Sequence, residues 1–112
     1  MKMRYPTDEA RRKLKNGKGK CLLPDSLRTQ GRVDLRLVRD GDQQLLVLFE
    51  RRSYLKQTYA PGKMFYRKHY VTILAVENGK RSKRDKHVEK LVRRAKRRIQ
   101  QIERSDTRLA LA

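Results

Sequence analysis

The sequence has very little cysteine and no long apolar run, and each absence excludes a class of protein. Cys21 is the only cysteine among the 112 residues, so the chain can form neither an internal disulfide nor a cysteine-rich zinc site. The longest uninterrupted apolar run covers residues 45–49, far short of the roughly 20 residues of a membrane-spanning helix. The first residues lack the apolar segment of a secretory signal. We therefore expect a cytoplasmic or nucleoid-associated protein with no membrane partner.

Acidic side chains are scarce relative to basic ones. Lys and Arg number 31 and Asp and Glu number 12, so the formal net charge is +19. Residues 1–20 hold eight basic and two acidic side chains (net +6), residues 21–79 hold ten and six (net +4), and residues 80–112 hold thirteen and four (net +9). Because such a field attracts polyanions, nucleic acid is the expected partner, and the two ends of the chain are its expected binding elements.

The middle of the chain has the periodicity of an antiparallel sheet. Apolar and polar residues alternate over 32–39, which is typical of a half-buried strand. The dipeptide Asp40-Gly41 favours a tight hairpin because both residue types tolerate a positive φ. Residues 43–51 are apolar on both faces, which indicates a central strand.

A second hairpin is predicted further along. Residues 53–59 form a third strand candidate, which the pattern leaves open as strand or loop. Pro61-Gly62 suits a type II turn, and residues 63–76 then read as a long strand that ends at Asn78-Gly79. In that strand Phe65, Val71, Ile73 and Ala75 alternate with Tyr66, Tyr70 and Thr72.

The last third of the chain contains one continuous helical stripe. The stripe consists of Val88, Leu91, Val92, Ala95, Ile99 and Ile102, spaced three, one, three, four and three residues apart. With Ser82 as the N-cap, it predicts an amphipathic helix over about 83–104, followed by a flexible tail over 105–112. At the other end, Thr7 is a candidate N-cap for a short helix over 8–15, but a flexible basic arm is an equal alternative.

These elements predict a single α+β domain. An antiparallel sheet of three to four strands over about 31–77 is packed by the long C-terminal amphipathic basic helix over about 83–104. The domain covers residues 21–104, and the basic N-terminal arm or short helix (1–20) precedes it.

The basic back of the predicted helix is the first candidate binding surface. Lys and Arg make up 11 of the 19 residues in 80–98, and Lys86, Lys90, Arg94 and Arg98 form a like-charge row at i, i+4 spacing. A solvated helix face normally mixes signs, since such neighbours repel by roughly 0.2–0.5 kcal/mol. The row therefore favours contact with phosphates. The candidate residues here are Lys80, Arg81, Lys83, Arg84, Lys86, Lys90, Arg93, Arg94, Arg97 and Arg98, with Arg11, Arg12 and Lys13 on the N-terminal segment.

Tyrosines interleaved with cations form a second candidate surface. Tyr54, Tyr59, Tyr66 and Tyr70 fall within 17 residues that also contain several Lys and Arg. Tyrosine can stack on a base while a neighbouring cation holds phosphate, but it is equally a common strand residue with a buried ring. From this region we select Tyr54, Tyr66, Arg67 and Lys68 as candidates.

The predicted function is a small basic nucleic-acid-binding protein that grips the phosphate backbone through the helix and the N-terminal segment. DNA is favoured over RNA, and a regulator or accessory factor of a phage or mobile element fits this make-up. We assign no catalytic residue, metal or cofactor. Asp34 and Glu50 suggest a metal nuclease, but no lysine lies two residues after Glu50, where such a site needs it.

Three alternatives remain open. One is a small toxin-type ribonuclease acting on RNA or ribosome-bound mRNA, with His69 or Tyr66 as acid or base and Arg67 or Arg81 on the phosphate. Another is a ribosome-associated or structural RNA-binding protein. The third is an interaction module that forms a homodimer or binds an acidic protein.

Overall fold

The fold is an open antiparallel sheet with a helix on each side. The computed structural model describes residues 5–57, 65–78 and 86–111. Its elements are α1 (Asp8–Lys15), β1 (Lys20–Cys21), a 3₁₀ helix (Asp25–Gln30), β2 (Val33–Asp40), β3 (Gln43–Gln57), β4 (Phe65–Asn78) and α2 (Lys86–Leu111). The four strands pair in the order β1-β2-β3-β4, each antiparallel to its neighbour. The predicted α+β class, with a C-terminal helix packed on an antiparallel sheet, is confirmed.

Each side of the sheet has its own apolar cluster, because β3 is central and apolar on both faces. On the α2 side, Leu35, Leu46 and Leu48 pack with the helix stripe. On the α1 side, Val47 and Phe49 pack with Leu14 and neighbouring valines. The side facing α2 is called the α2 side below, and the opposite side is called the α1 side.

The β2–β3 hairpin is present as predicted, but its two turn residues are Gly41 and Asp42 rather than Asp40 and Gly41. Asp40 pairs with Gln43, and Gly41 between them has φ 63°, in the left-handed region that favours glycine. The third strand candidate, 53–59, is not a separate strand, because β3 continues without a break to Gln57. The predicted Pro61-Gly62 turn lies outside the described residues.

A β-bulge changes which side the end of β4 faces. Leu48 pairs with Ala75 whereas Phe49 pairs with Ile73, so Leu74 is an extra residue on β4. Both Leu74 and Ala75 then pack on the α2 side, while Ile73 packs on the α1 side. The predicted alternation therefore holds as far as Ile73 and is wrong for Ala75.

The C-terminal helix lies on the sheet through the predicted stripe. Val88, Leu91, Ala95, Ile99 and Ile102 are buried, and Val92 is partly buried beside them. The helix runs on to Leu111, past the predicted end at residue 104, so the backbone of 105–111 is helical where a tail was expected. Ser82, the predicted N-cap, lies outside the described residues. Neither helix in the described ranges combines the length and the apolar character needed to span a bilayer.

Of the two alternatives for the N-terminal segment, the structure has the short helix. The Ala10 N–H donates to the Thr7 hydroxyl (3.3 Å), which in turn donates to Asp40 Oδ1 (2.6 Å) on β2. Leu14 is fully buried in the α1-side cluster, so α1 is docked on the sheet. Gly17 (φ 75°) follows the C-cap residue Asn16, and its N–H donates to Leu14 O (3.1 Å) at the end of the helix.

Candidate nucleic-acid interface

A two-stranded ribbon projects from the edge of the core. β2 begins at Val33, which pairs with Glu50, and the Arg51 N–H still donates to Arg32 O (2.7 Å). Beyond Arg51, β3 has only β4 as a strand partner among the described residues. The ribbon consists of residues 52–57 of β3 and 65–70 of β4. Its tyrosines keep much of their surface in solvent, with Tyr54 44 %, Tyr66 45 % and Tyr70 38 % exposed. The ribbon is therefore a surface element, and its three described tyrosines are partly accessible to a ligand.

On one face of the ribbon, tyrosines and cations alternate both along each strand and across the two strands. Three successive cross-strand pairs each join one tyrosine to one cation: Arg52 with Tyr70, Tyr54 with Lys68, and Lys56 with Tyr66. The tyrosine changes strand at every row. We call these six residues the tyrosine–cation ladder. The Tyr54 and Tyr70 rings meet edge to face, with centroids 5.6 Å apart and planes at 64°.

The ladder lies on the α2 side of the sheet. Glu50 accepts a hydrogen bond from Arg98 of α2 at 2.7 Å, and residues two apart on a strand share a side. Arg52, Tyr54 and Lys56 therefore face the same side as α2. The opposite face of the ribbon carries Ser53 opposite His69 and Leu55 opposite Arg67, so Arg67 lies on the α1 side.

A buried carboxylate holds the base of the ribbon to α2. The Glu50 side chain is fully buried and is shared by Arg52 Nε and Arg98 Nε, so both guanidinium groups contribute to one cluster. Burial alone would raise the pKa of Glu50, but the hydrogen bonds from Arg98 and Arg52 outweigh burial and lower that pKa below its usual value. The same bond to Glu50 raises the pKa of Arg52. The cluster fixes the first row of the ladder.

A second buried carboxylate lies on the α1 side. Asp34 accepts hydrogen bonds from Arg36 Nε (2.7 Å) and Arg51 Nη2 (3.0 Å), and these lower its pKa although burial opposes the shift. Arg51 also donates to Leu14 O (3.2 Å), which ties β3 to the end of α1. Cys21 Sγ donates to Asp34 Oδ1 (3.1 Å), and the pKa of the thiol is raised, first by burial and then by this bond. Asp34 and Glu50 thus lie on opposite sides of the sheet, each neutralised by arginines.

A groove of about 700 Å³ opens where the base of the ribbon meets the end of α1. Its lining residues are Lys15, Arg32, Arg51, Arg52, Ser53, His69 and Tyr70. A smaller concavity of about 460 Å³ shares Lys15 and His69 with it and adds Asn16, Tyr66, Arg67 and Lys68. No Asp or Glu lines either concavity among the residues that the structure describes, so both suit an anion.

The exposed side of α2 carries the predicted cations. Lys86, Lys90, Arg93, Arg94 and Arg97 are all exposed on a helix whose opposite face is buried. Arg98 differs, because it is half-buried and its charge is paired with Glu50. The predicted residues Lys80, Arg81, Lys83 and Arg84 lie outside the described part of the chain.

The structure divides the predicted residues between the two sides of the sheet. Tyr54, Tyr66 and Lys68 join one face, the side on which α2 lies. The α1 candidates lie on the other side, where Arg12 is exposed, Arg11 is half-buried and Lys13 donates to Arg39 O (3.2 Å). One surface therefore does not include both the α2 cations and the N-terminal cations.

Several residues of these surfaces were missed as binding residues. Arg52, Lys56 and Tyr70 complete the ladder, and Lys15 and Arg32 line the groove. The alternation in β4 already places Tyr70 on the same face as Tyr66, which was an available signal. Its partners on β3 can be identified only from the register of the β3–β4 hairpin, which the sequence pattern does not determine.

The comparisons with known proteins give no family. No protein-family model, no curated protein and no solved structure matches the chain. Among the described residues, no group of three or more His, Cys, Asp or Glu side chains is placed to hold a metal ion.

Proposed function

We propose that this is a nucleic-acid-binding protein that grips the phosphate backbone through the exposed basic face of α2. The supporting observation is the combination of a fixed helix and cations of one sign. The buried stripe and the Arg98–Glu50 pair hold α2 on the sheet, and Lys86, Lys90, Arg93, Arg94 and Arg97 remain exposed. DNA is the ligand that we favour, with RNA as the alternative.

The charge pattern of α2 favours a ligand over a merely solvated face. Within residues 86–98 the only acidic side chain is Glu89. Like charges at i, i+4 destabilise a helix by roughly 0.2–0.5 kcal/mol per pair, and bound phosphates would remove that repulsion. Each phosphate neutralised by Lys or Arg also releases counterions, which adds affinity.

The test is a mobility shift against duplex DNA, single-stranded DNA and structured RNA at two salt concentrations. We expect the double variant Arg93→Gln/Arg97→Gln to bind more weakly and to lower the slope of log K against log salt by about two. The matched control is Lys18→Gln/Arg39→Gln, which removes the same charge from exposed residues outside α2. The control should leave the slope unchanged.

Two results would overturn this proposal. Equal effects of both variants would mean that net charge, not the face of α2, determines binding. Absence of any shift with every nucleic acid would exclude the function altogether.

A ribonuclease is the second candidate, because His69 and Arg67 lie on the α1 side of the ribbon and line the smaller concavity with Lys15. The Tyr66 side chain, the alternative acid or base, lies on the opposite face of the ribbon. The same lanes distinguish a ribonuclease from simple binding. RNA cleavage that His69→Ala abolishes would support the enzyme, and intact RNA in a shifted band supports binding.

A further inference from the structure

We propose that the tyrosine–cation ladder is a platform for single-stranded nucleic acid, on which tyrosine rings stack against unpaired bases while Lys and Arg hold the phosphates. This inference rests on the proposed function and adds the class of ligand. It is carried by the three ring–cation rows of the ribbon and by the exposure of their tyrosines.

Each row of the ladder has a composition that matches a nucleotide. A nucleotide presents a flat apolar base and an anionic phosphate, and each row contains one ring and one cation. Arg52 of the first row is already paired with Glu50, so Lys56 and Lys68 are the main cations for phosphate. Side chains directly opposite on antiparallel strands lie about 4.5–5.5 Å apart at Cβ, so both groups of a row reach the same nucleotide. The ladder contains no acidic residue that would repel the phosphates.

The spacing of the rows along the ribbon also matches a single strand. Successive rows on one face are two residues apart, which is about 6.8 Å in an antiparallel strand. This is twice the ~3.4 Å rise per nucleotide of one strand in stacked DNA. A nucleic-acid strand matches the rows if its bases are unstacked, or if only every second base contacts a tyrosine. Either arrangement requires a single strand without its complement.

The tyrosine rings of the ladder are not stacked on one another and remain partly exposed. The 64° angle between Tyr54 and Tyr70 means that the two rings do not cover each other face to face. Each tyrosine of the ladder keeps about two-fifths of its surface exposed. The edge-to-face contact covers one face of one ring of this pair, and the exposed surface of the three tyrosines is available to a base. Because base faces are covered inside a duplex and accessible in a single strand, these exposed tyrosines favour the single strand.

The position of α2 adds to the site. The ladder begins at Arg52, which shares Glu50 with Arg98 of α2, so the ladder and α2 meet at a corner on the same side of the sheet. A strand lying on the ladder would reach the cations of α2 at that corner. The two surfaces together would then engage more phosphates than either alone.

The experiment measures affinity for oligothymidylate and oligouridylate of about 16 nucleotides and for a duplex of similar length. Tyr54→Leu and Tyr66→Leu should each weaken binding to the single strands by roughly 5- to 150-fold, because each removes one stacking ring. Duplex affinity should stay within about twofold, since α2 is unchanged. The chain has no tryptophan, so quenching of its tyrosine emission follows binding, and the quenching that each leucine variant loses is assigned to the ladder.

Two controls distinguish the loss of a stacking ring from the loss of the fold and from the loss of a tyrosine elsewhere in the chain. Tyr54→Phe and Tyr66→Phe keep the ring and should retain single-strand affinity. Tyr5→Leu removes a tyrosine that is 65 % exposed outside the ribbon and should have no effect. Urea unfolding of each variant confirms that the fold is intact.

Each other outcome is decisive. If the leucine variants bind single strands as well as the wild type does, the ladder is not the platform, while binding through α2 still stands. If they weaken duplex and single strand equally, the ribbon contacts duplex and the single-strand class is wrong. If the wild type binds no nucleic acid, the proposed function fails as well. A preference between the two oligomers identifies DNA or RNA.

Discussion

Glu50 shows how a single buried charge positions a surface. A carboxylate without exposed surface is costly unless it is paired, and Glu50 has two arginine partners from different elements. One partner begins the ladder on β3 and the other belongs to α2. Removing the charge would leave two guanidinium groups facing each other at the base of the ribbon.

We predict that Glu50→Gln lowers the free energy of unfolding by about 2–3 kcal/mol at pH 7. This is less than the roughly 3–5 kcal/mol of a fully buried pair, because Arg52 and Arg98 keep 40 % and 32 % of their side-chain surface exposed. Urea unfolding measures the loss. The control Asp42→Asn removes an exposed turn carboxylate and should change stability by less than about 0.5 kcal/mol.

The same residue predicts a pH dependence. The folded-state pKa of Glu50 is lowered, so its contribution is fully present above the unfolded pKa of about 4.3 and is lost as pH falls through the folded value. Wild-type stability should therefore fall with acidification below about pH 4.3. The glutamine variant should fall less steeply, with the remaining slope due to Asp34, whose pKa is also lowered. Parallel pH profiles for the two proteins would contradict the assignment.

At the scale of elements, the link from α1 to β1 depends on one glycine. Gly19 has φ 90°, and a Cβ there would lie 2.5 Å from the backbone oxygen of Leu37 on β2. Arg36 Nη1 holds this link by donating to Gly17 O (2.8 Å) and Gly19 O (2.9 Å). The close approach lets β1 pair with β2 directly after α1 ends.

We predict that Gly19→Ala destabilises the protein by at least about 3 kcal/mol, since it adds a backbone clash to the strain of a positive φ. Gly17→Ala is the matched control, because Gly17 has φ 75° but no atom within 4 Å of its added Cβ. That control should lose only about 1 kcal/mol. Equal losses in urea unfolding would show that the contact with Leu37 is unimportant.

The elements also differ in how well the local sequence pattern predicts them. The sides of β2 and the stripe of α2 follow from periodicity, since each has one buried face. The bulge at Leu74 does not follow from periodicity. Leu74 and Ala75 are both apolar, so either alternation pattern would bury an apolar residue at this point of β4. The docking of α1 depends on distant partners such as Asp40 and Arg51, which no local pattern identifies.

The candidate site likewise has a part that the sequence predicts and a part that depends on the fold. The cations of α2 are visible in the sequence as a row of one sign, but the commitment of Arg98 to Glu50 joins residues 48 positions apart. The ladder needs the register of β3 and β4, and a slip of one residue would move every tyrosine of one strand to the other face. Composition therefore predicts the class of partner, while the strand pairing determines where bases and phosphates meet.

For the whole molecule, the net charge is +19, and its cations are of two kinds. Some are paired with buried carboxylates, and others are exposed. Arg36, Arg51, Arg52 and Arg98 are paired with the two buried carboxylates. The exposed cations of α2 and of the ladder lie on one side of the sheet, and those of α1 lie on the other. Buried pairs are screened much less by salt than exposed charges, so salt should affect binding and stability differently.

We predict that nucleic-acid affinity falls by about 10³-fold or more between about 50 and 200 mM salt, as expected when six or more phosphates are neutralised. Over the same range the urea midpoint should stay constant or rise, because salt screens the repulsion among exposed cations and leaves the buried pairs intact. Fluorescence anisotropy with a labelled oligonucleotide measures the first quantity, and urea unfolding measures the second. An affinity that barely changes would exclude phosphate contacts as the main source of binding. A falling midpoint would mean that the exposed charges stabilise the fold.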